Sequence, residues 1–195
     1  ARARAGWLLG LAGLVIVTMR PEGATTIAVF GLVAAAGRGL SLRARVATLF
    51  RAGFPAGAAL ALQSVANRLF TGESSASGAI VKLALNNPFL TTDEKIADYT
   101  QNLRYAIFRN LEYHFTDWAF VDAILPVLAL LALALPETRR YAALLWLQLV
   151  SWILLVALNG QVRWQNERYT MPAVAWLLVC AALGACALFR RAGRP

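Results

Sequence analysis

Six apolar runs separated by polar links constrain this chain more than any other feature of its sequence. They cover about Ala5 to Met19, Ala24 to Leu40, Phe54 to Ala66, Trp118 to Leu135, Tyr141 to Leu158 and Pro172 to Phe189. With 59% hydrophobic residues and only 15% charged, the 195-residue chain has far more apolar surface than one soluble core would use. The excess calls for a lipid environment, and the pattern predicts an all-α, polytopic membrane helix bundle of about six transmembrane helices. The first two runs are short for a hydrocarbon core of roughly 30 Å, so they extend into the interfaces or pack where the membrane is thinned.

Charge orients the bundle. A net charge of +9 would suggest nucleic acid in a soluble protein, but here the arginines cluster in the links between apolar runs. That is the pattern of membrane orientation, and it argues against a nucleic-acid partner. The N-terminus, the Gly37 to Gly53 loop, the Pro136 to Arg140 turn and the C-terminal tail share eleven basic residues against one acid, Glu137. The opposite side has eight basic residues and nine acids. The first side is therefore expected to be cytoplasmic, with both termini inside and the protein in a bacterial inner membrane. Three regions follow: three spans in 1–66, an outer segment in 67–117, and three spans with a basic tail in 118–195. A chain that opens Ala-Arg-Ala-Arg, without Met or a cleavable-signal pattern, is also expected to be the later part of a longer polypeptide.

Gly6, Gly10 and Gly13 lower one side of the first helix, and Gly53 with Gly57 do the same in the third. Such positions let backbones approach closely, either within one chain or across a dimer. Cys180 and Cys186 are too far apart along one helix to bridge, and His114 is the sole histidine. A metal or haem site within the chain is not expected, and no cofactor is indicated.

The outer segment holds more than a link. Thr91-Thr92-Asp93-Glu94 reads as a capping box, and Ile96, Tyr99, Leu103, Ile107 and Leu111 then recur at helical spacing. They predict an amphipathic helix from about Thr92 to His114, lying on the outer membrane surface or over the bundle. Upstream, Gly78 to Leu85 reads as a short helix or a re-entrant piece, interrupted by Lys82. A lone ammonium in an apolar run must reach a headgroup or a specific anion. Arg68, Glu73, Arg104, Arg109, Glu112, His114 and Asp117 fall on the same side of the predicted topology, and Asp122 lies about one turn into the fourth run, either within reach of an outer arginine or in a wet cavity. For Arg104, Arg109 and Glu112, a solvated face or a headgroup contact is the simpler reading.

The sharpest candidate site lies at Asn166-Glu167-Arg168-Tyr169-Thr170-Met171-Pro172, where a polar loop meets the last apolar run. Thr170 is placed to cap the helix, and Pro172 falls in its first turn, where a missing N–H costs nothing. Open backbone donors, Arg168 and Arg163 would then converge on an anion. Arg163 and Glu167 are spaced to pair with each other if that loop is helical, and Trp164 with Tyr169 would equally suit an interfacial belt.

Asn67-Arg68-Leu69-Phe70-Thr71-Gly72 after a membrane helix, Ser77-Gly78-Ala79 with Lys82, and Arg168-Tyr169 before Pro172 together give a pattern from about Asn67 to Phe189. It resembles the C-terminal half of GT-C membrane glycosyltransferases, which use polyprenyl-phosphate sugars. The resemblance implies that Arg168 and Tyr169, and likewise Lys82, lie near the phosphate of a lipid-linked donor, while Arg163 joins them as a cation beside the helix start. In that superfamily the catalytic acid sits in the first outer loop, whereas here that loop is only Arg20 to Gly23 and the surroundings of Glu22 match no catalytic motif. The catalytic residue is therefore not identified, and the chain is either the later half of an enzyme or inactive. The competing reading is a non-catalytic membrane subunit that packs against partner subunits. A transporter is disfavoured, because the spans lack the interrupted, repeated helices and midplane charges of ion-coupled transport.

Overall fold

A computed structural model describes residues 2–74, 83, 85, 87–112, 119–159 and 169–193, without the side chains of 2–3, 109–112 and 119–122. Among the described residues the chain is all-α, with seven α-helices. They are α1 (Arg2–Met19), α2 (Ala24–Ala35), α3 (Leu42–Thr71), α4 (Thr92–Glu112), α5 (Ala119–Ala134), α6 (Arg139–Val156) and α7 (Met171–Ala192). The chain divides into two compact units, Ala1–Ile80 and Val81–Pro195. The expected outer segment is thus shared between them, and α4 belongs to the second.

In the first unit, α1 and α2 are joined by a short 3-10 turn at Pro21–Gly23, within the short Arg20 to Gly23 link. The third element departs from expectation. Instead of a basic loop to Gly53 followed by a short span, α3 is one helix of 30 residues that carries Arg43, Arg45 and Arg51 on its own surface. Two local signals explain its length: Ser41 accepts a hydrogen bond from the Ala44 N–H at 3.3 Å, and Gly72 ends the helix at φ 80°. The link that remains is only residues 36–41.

Pro55 is buried inside α3 and cannot donate to the Arg51 carbonyl. The glycine stripe of α1 lies over this defect. A side chain at Gly10 would run into that carbonyl and come within 2.9 Å of the Pro55 ring, and one at Gly13 would meet Ile27 at 2.7 Å. Val17, Ile27 and Ala56 form the core of the unit beside this close approach. These glycines therefore serve packing within the chain. Gly53 and Gly57 face open space instead: a methyl group added at either would meet nothing within 4 Å.

In the second unit, α5, α6 and α7 pack around Leu149, Trp152, Ile153, Leu177 and Cys180. The Pro136 to Arg140 link is the tight turn expected. Thr138 Oγ1 donates to the Ala132 carbonyl at 2.8 Å, and Arg139 donates to the carbonyls of Leu133 and Ala134 at 3.2 Å each, closing the C-terminus of α5. Across the same end, Arg191 and Glu137 form a two-pronged ion pair at 2.8 and 2.9 Å. It is half-exposed, so it marks the geometry of this end more than it stabilises it.

The capping box of α4 forms as expected. Glu94 accepts from the Thr91 N–H at 2.7 Å and from its hydroxyl at 2.8 Å, while the Glu94 N–H donates back to Thr91 Oγ1 at 3.3 Å. The buried face is rotated from the one the periodicity predicts: Asn102 and Ala106 are buried, whereas Ile96 and Ile107 are 59% and 41% exposed. Neighbouring helices, absent from a periodicity argument, decide which side turns inward.

The Thr91 N–H, and then its hydroxyl, hold the Glu94 carboxyl below the ordinary glutamate value. A lowered folded pKa contributes stability above the ordinary value that fades as pH falls through the depressed one. The Lys95 amide, whose N–H donates to the Thr91 carbonyl at 3.0 Å, should therefore lose protection, its exchange rising relative to the intrinsic rate at each pH, as the medium is acidified below the usual glutamate range. Glu94→Gln should remove most of that pH dependence; an unchanged acid response would show that the carboxylate does not set it.

By length and composition, α6 and α7 can each cross a membrane. Shorter apolar helices cover Arg4–Met19, Pro21–Ala35 and Ala123–Ala134. The 12 residues of α2 reach only about 18 Å at the helical rise. The four arginines of α3 keep it from being uniformly apolar.

Candidate functional site

The C-terminal end of α6 gathers four parts of the second unit. Trp152 is 4% exposed, stands edge-on to Trp176 at 5.7 Å, and donates its indole N–H to the Tyr169 carbonyl at 2.7 Å. That bond fixes the backbone just before α7. Tyr99 of α4 donates its hydroxyl to the Leu154 carbonyl at 3.3 Å. Asn159 pairs with Leu83 in an isolated antiparallel bridge, and Lys95 Nζ donates to the Leu85 carbonyl at 3.0 Å. Leu83 and Leu85, the start of α4, the end of α6 and the start of α7 thus meet at one end.

Of the expected phosphate-binding residues, Tyr169 is described and buried at 9% exposure in the core of the unit. Lys82, Arg163 and Arg168 lie outside the described residues, as do His114, Asp117 and Glu167. The described residues that flank Lys82, Arg163 and Arg168 nevertheless belong to this end. Lys82 precedes Leu83, Arg168 precedes Tyr169, and Arg163 lies between Asn159 and Tyr169 in the sequence.

The start of α7 corrects the expected cap. Thr170 occupies the cap position with helical φ and ψ, is 2% exposed, and makes no side-chain capping bond. Its carbonyl accepts from the N–H groups of Ala173 at 2.9 Å and Val174 at 3.2 Å, and Pro172 has no N–H. These backbone donors are engaged or missing, so an anion here depends chiefly on side chains.

Other expected polar residues are dispersed. Arg68 ends α3 and Glu73 follows it, both in the first unit. Arg104 lies over the Phe108 ring at 5.7 Å on an exposed part of α4, which matches the simpler reading of that residue. The side chains of Arg109, Glu112 and Asp122 lie outside the described set. Among the described residues, no group of three or more His, Cys, Asp and Glu could hold a metal.

Sequence reasoning does not single out Trp152 or Gln148. Gln148 is fully buried one turn before Trp152, and its signal is available as the only amide between Tyr141 and Leu158. The role of Trp152 is hidden, because a tryptophan in an apolar run does not reveal that its N–H reaches a residue 17 positions later. Comparisons with protein-family models, curated proteins and solved structures find no match to this chain.

Proposed function

We infer that the chain is an integral membrane protein with about six membrane-embedded helices and α4 as an interfacial helix. Its second unit binds the phosphate of a polyprenyl-linked sugar on the non-cytoplasmic side of a bacterial inner membrane and acts in GT-C type glycosyl transfer. The observation that supports this most is the gathering of Leu83, Leu85, Asn159 and Tyr169 at one end of the unit. Three cations directly precede or lie between those points in the chain: Lys82, Arg163 and Arg168.

Orientation supports the same side. Arg139 and Arg140 begin α6 and Arg190 and Arg191 end α7, so the basic cluster occupies the opposite end of those helices. Basic clusters favour the cytoplasm, which leaves the Tyr169 end outside. In glycosyl transfer, the cations would stabilise charge as the phosphate departs, while a carboxylate supplied elsewhere takes the acceptor's proton.

The test is binding of polyprenyl phosphate to the full chain in lipid nanodiscs. Arg168→Ala should weaken it about tenfold or more, as expected for losing a charged hydrogen bond of about 1.5–3 kcal/mol, and Lys82→Ala should act in the same direction. Equal affinity in wild type and Arg168→Ala would overturn the assigned site. A non-catalytic membrane subunit is the second reading, favoured by the strongly exposed Leu69 and Phe70 at the end of α3, 78% and 88%. It predicts fixed-stoichiometry copurification with partner subunits and full function in Arg168→Ala.

A further inference from the structure

A cavity of about 380 Å³ opens between α2 and α3 of the first unit. Its walls are Ile27, Ala28 and Leu32 on one side and Leu49, Gly53 and Gly57 on the other. Every lining side chain is apolar or absent. The cavity has the size of a site for a single small ligand or hydrocarbon chain.

Charge at one end selects among apolar occupants. Arg45 lies one helical turn before Leu49 on the same face of α3, is half-buried, and donates its Nε to the Leu40 carbonyl at 3.2 Å. That bond holds the guanidinium beside the α2–α3 link. Arg38 in the link and Arg43 in the first turn of α3 are exposed nearby in the chain. From Ala24 to Thr71 there are five arginines and no acidic residue. A purely hydrocarbon ligand would leave this charge unused, whereas an anionic lipid meets both parts.

We propose that the α2–α3 groove binds one anionic phospholipid, with an acyl chain along Gly53 and Gly57 and its phosphate at Arg45 and Arg38. The site belongs to the first unit and is separate from the polyprenyl-phosphate site. It rests on the membrane-protein reading above, though not on glycosyl transfer.

Gly57 gives a clean test, because a Cβ added there meets nothing within 4 Å. Gly57→Leu should fill the groove while retaining wild-type helicity. Ala28→Leu should fill it from the exposed opposite wall. Full-length protein would be equilibrated in vesicles of phosphatidylglycerol and phosphatidylcholine, extracted, and analysed by native mass spectrometry.

Wild type should retain one phosphatidylglycerol in preference to phosphatidylcholine. Either groove-filling variant should reduce its retention about tenfold, and Arg45→Gln with Arg38→Gln should abolish the headgroup preference while leaving an acyl chain bound. Unchanged retention in both filled variants, or no headgroup preference in wild type, would overturn the proposal. So would a wild-type dimer dispersed by Gly57→Leu, which would make a second copy the occupant. Alkaline carbonate extraction separates the two levels: a chain released from membranes defeats the membrane reading and this site with it, whereas a chain that stays but holds no lipid defeats the site alone.

Discussion

Gly184→Val should unfold the second unit more readily than any surface substitution, lowering its stability by about 3 kcal/mol through overpacking. The first side-chain atom at this position would fall onto the Leu128 carbonyl oxygen, with the Leu128 carbonyl carbon at 3.0 Å and the Ala132 nitrogen at 3.4 Å. All three are backbone atoms of α5, so no rotamer change can clear them. The helices must separate, which opens the packing around Leu177, Cys180 and Ala181. Close approach through a small residue is a means of joining helices where lipid removes much of the hydrophobic drive. Gly53→Ala is the matched control: its added methyl meets nothing within 4 Å, and exchanging glycine for alanine inside a helix should be neutral or stabilising by up to about 1 kcal/mol. Thermal unfolding in detergent, followed by circular dichroism, checks both. A Gly184→Val protein that melts with wild type would mean that α5 and α7 do not meet closely here.

These two glycines mark a boundary of what sequence can tell. Gly10 and Gly13 are legible as places of close approach because they recur along one side of α1, and the partners are Pro55 and Ile27. Gly53 and Gly57 have the same spacing signal but face open space, since only the neighbouring helices decide whether a notch is filled. Gly184, isolated in the last apolar run, gives no periodic signal even though it makes the closer contact. Local chemistry explains the other agreements and departures. The Thr91–Glu94 cap is legible because both partners lie within one turn, and the all-α class follows from apolar runs alone. The full length of α3 is not legible from charge, because four arginines between Gly37 and Gly53 mimic a loop, although the Ser41 cap and the left-handed Gly72 bound a helix. The loop before α7 is legible as a cationic stretch, but not the buried Trp152 that holds its end.

Trp152 therefore provides the second decisive measurement, because it joins packing to the proposed binding site. Trp152→Ala should cost about 3–5 kcal/mol, as expected for truncating a large buried aromatic, and should shift the unfolding transition accordingly. Trp152→Phe separates the effects: most of the ring packing against Trp176 is kept, but the Tyr169 carbonyl loses the indole donor, at a cost of about 1–3 kcal/mol. If that hydrogen bond positions the backbone carrying Arg168, the Phe variant should also bind polyprenyl phosphate more weakly under conditions where it is fully folded. The accompanying Arg168→Ala measurement distinguishes the causes. A positioning role predicts that Trp152→Phe has little further effect once Arg168 has become alanine, because the guanidinium to be positioned is gone. Independent losses would instead add. Wild-type affinity in folded Trp152→Phe would disconnect the tryptophan from the phosphate site, while leaving its contribution to the helical core intact.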